Sequence, residues 1–90
     1  MAAELIYQYR EAVSAADGVP YVAQAWAQRH GRWESWLVFI AADGRILRTT
    51  REKQYASRDA VLVWAVSLRR DDLGRALARA VPPTAAMPAA

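Results

Sequence analysis

Residues 33–50, WESWLVFIAADGRILRTT, decide the fold. An aromatic and β-branched run from Trp33 to Ala42 meets Asp43-Gly44, and a shorter alternating run follows from Arg45. Aromatic and β-branched side chains suit a pleated, half-buried surface, and Asp-Gly between two such runs marks a hairpin. The stretch predicts antiparallel strands over 33–42 and 45–51. It also sets a register, from which the side chains sharing a face can be counted.

Outward from this hairpin the pattern continues on both sides. Gly31-Arg32 fits a two-residue turn with Gly at its first central position, as type II′ requires, and residues 21–30, YVAQAWAQRH, form the strand before it. Residues 4–13, ELIYQYREAV, alternate around Leu5, Tyr7 and Tyr9 and read as the first strand. Residues 14–20, SAADGVP, are a turn region punctuated by Asp17-Gly18 and Pro20. Downstream, Ser57 suits an N-cap, with Asp59 in the first turn where a carboxylate favours the helix dipole. A helix over 58–68 follows; Val61, Val63 and Val66 leave a fifth strand as the alternative, because a short apolar run fits either period. A further helical stretch runs from Asp71 or Asp72 through Val81, with Leu73, Leu77 and Ala80 on one side, and Pro82-Pro83 end it. The fold class is α+β: a four-stranded antiparallel meander, then a C-terminal helix or helix pair packed on one face. Residues 1–81 make a single domain and 82–90 a disordered tail.

Composition narrows function by exclusion. A 90-residue chain that is 54% hydrophobic can pack one small core and is too apolar for intrinsic disorder. It has no cysteine, which removes disulfides, thiolate metal sites and Cys nucleophiles. His30, the single histidine, stands beside a turn glycine and has no ligand set around it. Asp71-Asp72 reads as a helix start. Ser14, Ser35, Ser57 and Ser67 have no evident base, and the glycines are too scattered for a phosphate loop. With no positioned nucleophile and base, the expectation is a non-catalytic protein without metal or cofactor. The N-terminal MAAELIYQYRE lacks the apolar core of a signal peptide, and no run approaches the ~20 apolar residues that span a bilayer. A cytoplasmic protein that does not enter membranes is expected.

Counting from the two turns pairs Ala27 with Trp36, Ala25 with Val38 and Ala23 with Ile40, then Ile40 with Leu47 and Val38 with Thr49. One face then carries Ala23, Ala25, Ala27, Trp36, Val38, Ile40 and Leu47, and its small residues leave room for the helix. The other carries Val22, Gln24, Trp26, Gln28, Ser35, Leu37, Phe39, Ile46, Arg48 and Thr50. One helical layer leaves that second face without cover, so another chain or a ligand is expected on it. Charge adds a second cue. The net charge is +3, and between Arg29 and Arg58 the basic residues exceed the acids by four, although an Ala- and Arg-rich, lysine-poor composition accounts for part of this. Trp26 and Phe39 could stack bases, and Arg48 would lie beside Phe39. Gln24 and Gln28 line the same face, and Arg29, Arg32 and Arg45, with Arg51 and Lys53, flank it. These residues form the candidate binding surface. Its expected partner is single-stranded DNA or RNA; the alternative is a protein partner or a homo-oligomer, most simply a homodimer, using the same face.

The segment from Trp33 to Ala80 resembles a family of small uncharacterised bacterial proteins. The likeness is carried by Trp33 and Trp36, Phe39, Asp43-Gly44, Thr49 to Glu52, Gln54, Trp64-Ala65 with Leu68, Leu73, Ala76-Leu77 and Arg79-Ala80. It implies no activity that can be carried over. The order of four antiparallel strands and a helix is also similar to the Whirly-type single-stranded-DNA-binding fold, a likeness of topology that transfers no binding residue.

Overall fold

The structure, a computed structural model, describes residues 2–50 and 52–83. Six strands precede two helices: β1 Glu4–Gln8, β2 Val13–Ser14, β3 Pro20–His30, β4 Arg32–Ala41, β5 Ile46–Arg48, β6 Lys53–Tyr55, α1 Arg58–Ser67 and α2 Arg70–Arg79. The order is β1-β3-β4-β5, with β2 also on β3 and β6 also on β4. All pairings are antiparallel. The expected α+β meander is present, with its two outer strands each broken in two. The register of β1 shifts between Leu5 and Tyr7, and the second piece resumes at Val13. Between β5 and β6, Thr49 holds the edge of β4: its amide donates to the Leu37 carbonyl at 3.0 Å, and its Oγ1 accepts from the Leu37 amide at 3.0 Å. Buried backbone groups need such partners, so the break costs β4 little.

Ser57 caps α1 as expected, its Oγ accepting from the Ala60 amide at 3.2 Å, and residues 58–67 form a helix rather than a fifth strand. The second helix stops at Arg79, short of the expected Val81. Val81 instead bridges to Arg48, exchanging hydrogen bonds of 2.8 and 2.9 Å along the outer edge of β5. Pro82 and Pro83 follow it and cannot extend the ladder. Met1, Arg51 and residues 84–90, the greater part of the expected tail, lie outside the described residues.

The expected register is off by one residue in both hairpins. The observed pairs are Ala27 with Ser35, Ala25 with Leu37 and Ala23 with Phe39, and then Phe39 with Leu47 and Val38 with Arg48. The reason is turn geometry. Residues 15–18 and 41–44 are both Ala-Ala-Asp-Gly, and both close a three-residue loop. The Gly44 amide donates to the Ala41 carbonyl at 3.0 Å, the Ala41 amide to the Arg45 carbonyl at 2.9 Å, and the Arg45 amide to Asp43 Oδ1 at 2.9 Å. The Ala15–Val19 loop repeats all three bonds. Only the glycine has a positive φ, 92° at Gly44 and 83° at Gly18. A two-residue type I′ turn would need Asp43 there too, so the chain takes a type I turn plus a glycine bulge. At the other hairpin Gly31, φ 74°, alone separates paired His30 and Arg32.

Two errors in the same sense cancel across the meander. The faces read for β3 and β5 hold, and that of β4 is inverted. Leu37 and Phe39, 1% and 0% exposed, join Tyr21, Ala23, Ala25 and Ala41 beneath Ala65 of α1 and Leu73, Ala76 and Leu77 of α2. The alanines on β3 let the helices lie close above these large side chains. Tyr9 ties the layers together, its hydroxyl donating to the Ala65 carbonyl at 2.6 Å. Burial pushes this hydroxyl well above the usual tyrosine range.

Candidate binding face

The side of the sheet away from the helices is built of rows, each running across the strands at one height. The first is Val22, Ile40 and Ile46; the second Gln8, Gln24, Val38 and Arg48; the third Leu5, Trp26 and Trp36; the fourth Gln28, Glu34 and Gln54. Cross-strand neighbours in a row share a face, so each row is a contiguous strip, and the strips are in turn apolar, mixed, largely aromatic and polar. Val22, Ile46 and Leu5 are 41%, 45% and 41% exposed. Val81, beside Arg48, is also exposed.

The centre of the face is held in place by its own side chains. Trp26 Nε1 donates to Gln24 Oε1 at 2.9 Å, and Gln24 Nε2 donates to Gln8 Oε1 at 3.0 Å, a relay from the indole to the sheet edge. The Arg48 guanidinium lies over the Trp36 ring, 4.6 Å from its centroid. Such a contact contributes about 0.5–2 kcal/mol, more as the cation loses water. Burial lowers the Arg48 pKa, yet an arginine stays charged at neutral pH. Trp36 is 4% exposed, and its Nε1 is a buried polar atom without a hydrogen-bond partner. Gln54 Nε2 donates to Glu34 Oε2 at 3.3 Å in the polar row.

Of the residues expected on this surface, Trp26, Arg48, Gln24 and Gln28 stand on it. Phe39 does not: the one-residue shift turns it into the core, and Trp36 takes its place beneath Arg48. The flanking arginines are not brought together. Arg29 and Arg32 sit at the tip of the β3–β4 hairpin, whereas Arg45 is at the opposite end of β4. At roughly 3.4 Å per residue those ends are about 30 Å apart. Arg45 is engaged locally by Asp43, Nε to Oδ2 at 2.9 Å, and the Arg45 amide, the largest influence, holds the Asp43 carboxyl below its usual range. Arg58 pairs with Glu4, Arg70 with Glu11, Arg75 with Asp72 and Arg79 with Glu52. Exposed pairs like these add little stability, but they neutralise the basic excess locally. Arg51 lies outside the described residues. Sequence counting missed Trp36; the cue that could have placed it is the Ala-Asp-Gly loop length.

Among the described residues no group of three or more His, Cys, Asp or Glu could hold a metal ion, and no helix is long and apolar enough to cross a membrane. No family model, curated protein or solved structure matches the chain.

Proposed function

We propose that the chain is a non-catalytic interaction module whose open sheet face binds protein. One observation carries this: exposed apolar side chains, Val22, Ile46 and Leu5, stand on the four rows of the face, and the charges of Arg48 and Glu34 cancel. Val22, Ile40, Ile46, Leu5 and Trp26 offer apolar area on either side of the Gln24 row, and the Gln28 row offers a polar rim at one end. Arg48 is the sole cation among the described residues of those rows, and it is spread over Trp36. A single-stranded nucleic acid needs a charged track beside its stacking platforms, and its affinity depends on cations released along that track.

The discriminating experiment is a titration with an oligo-dT at about 50 mM salt, followed through tryptophan fluorescence. No saturable change is expected. A saturable change that fades as salt rises, and that Trp26→Ala removes, would replace the protein-binding role with nucleic-acid binding.

A further inference from the structure

Resting on that interaction role, we infer that the occupant of the open face is a second copy of this chain, related by a two-fold axis that runs along the strands between β3 and β4. The row pattern selects the axis. The four rows differ in chemistry, and a two-fold along the strands lays each row on itself. Val22 then faces Ile40 of the second copy, Trp26 faces Trp36, Gln24 faces Val38 and Gln28 faces Glu34, each contact occurring twice. Apolar meets apolar in the first row, Trp26 meets the Arg48 guanidinium that covers the buried Trp36, and the Glu34 carboxylate meets an amide; Gln24 lies over Val38 and keeps its bonds to Trp26 and Gln8. A two-fold across the strands fails this test: centred on the mixed row it sets Arg48 against Arg48, and centred on the aromatic row it sets Val22 and Ile40 against the His30–Arg32 hairpin tip.

The same axis gives Arg48 a further partner beside the Thr49 carbonyl, to which its Nε donates at 3.3 Å. Gln8 and Arg48 stand in one row at opposite sides of the sheet, three strand spacings or about 14 Å apart. The two-fold exchanges these sides, so the guanidinium of one copy meets the Gln8 amide of the other. The Gln8 carbonyl oxygen already accepts from Gln24 and retains a second lone pair. Size fits as well. From Val22 to Gln28 and from β1 to β5 the face measures about 20 by 15 Å between backbone positions. With side-chain margins, two copies bury on the order of 1,000 Å², the lower limit for a specific interface.

Sedimentation velocity on the full chain from about 1 μM to 1 mM tests the pairing. A reversible monomer–dimer equilibrium is expected, abolished by Val22→Lys, whose site is exposed enough for the fold to survive, as far-UV circular dichroism will check. Gln8→Glu should tighten the dimer about tenfold through two added ion pairs, and Gln8→Arg should weaken it by as much. Mixing Gln8→Arg with Arg48→Glu should restore association as a heterodimer, since only the mixture opposes unlike charges across the axis. A chain that stays monomeric throughout overturns the second-copy assignment while leaving the oligonucleotide result to judge the interaction role. A dimer insensitive to Gln8 and Arg48 charge, or unrescued by mixing, overturns the axis.

Discussion

Replacing Phe39 and Trp26 by alanine, one at a time, separates the observed register from the one expected at first. In the expected register both rings share the open face and their losses would be comparable. In the structure Phe39 is 0% exposed beneath the helices, while Trp26 is partly exposed on the opposite side. Removing a fully buried phenylalanine costs about 3–5 kcal/mol, counting transfer and the cavity left behind. Trp26→Ala forfeits partial burial and one side-chain hydrogen bond to Gln24, together about 1–2 kcal/mol. A chain of this length has a total stability of about 5–13 kcal/mol, so the first change consumes much of it. The assay is urea unfolding followed by far-UV circular dichroism, which does not depend on the tryptophan removed, at low micromolar protein to limit association. With a slope of about 1–1.5 kcal/mol per molar, the midpoint should fall by about 2–5 M for Phe39→Ala and by about 1–2 M for Trp26→Ala. If Phe39→Ala has no folded baseline, Phe39→Leu keeps the comparison measurable. Equal midpoint losses, or a larger one for Trp26→Ala, would refute the assignment of faces.

Two further changes probe what sets the register and what joins the layers. Gly44→Ala puts a Cβ on a residue at φ 92° and should cost about 1–2 kcal/mol, seen as a lower urea midpoint, whereas Ala42→Gly in the same loop should cost less. Tyr9→Phe removes the bond to the Ala65 carbonyl and should cost about 1–2 kcal/mol at neutral pH. The tyrosine also carries a pH signature. Its folded pKa is raised above the unfolded value near 10, so the unfolded chain releases the proton first as pH rises. The Tyr9 contribution is therefore complete below pH ~10 and is lost progressively above it. Urea midpoints between pH 8 and 11 should drop more steeply for the native chain than for Tyr9→Phe; parallel curves would show that the hydroxyl is not held as described.

Much of the architecture is legible in local chemistry. The Ser57 cap marks the start of α1, and the alanine alternation of β3 marks its buried side. The glycines at 18, 31 and 44 mark the three reversals. What local chemistry does not mark is the number of residues each reversal consumes. Asp-Gly serves both a two-residue turn and the three-residue loop seen here, and the choice depends on whether the Asp backbone pays for a positive φ. Nor could spacing reveal β6 or the Val81 bridge, because strands of three residues and single bridges have no period to read.

The consequence for the candidate site follows from the two-residue period of a strand. A one-residue error moves a whole strand's side chains to the other face. Here it exchanged Leu37 and Phe39 for Trp36 and Val38 and left Trp26 and Arg48 in place, since the two errors cancel on either side of β4. The exchange changes the chemistry assigned to the face. With Phe39 outward, Arg48 would sit beside an open stacking platform and be free to meet a phosphate. With Trp36 outward, the guanidinium lies over the indole and its charge is partly desolvated. The same inversion places Val38 between Gln24 and Arg48 and completes the separation of the face into strips. In the pairing proposed above, that separation lets each strip lie on its own counterpart about the axis along the strands.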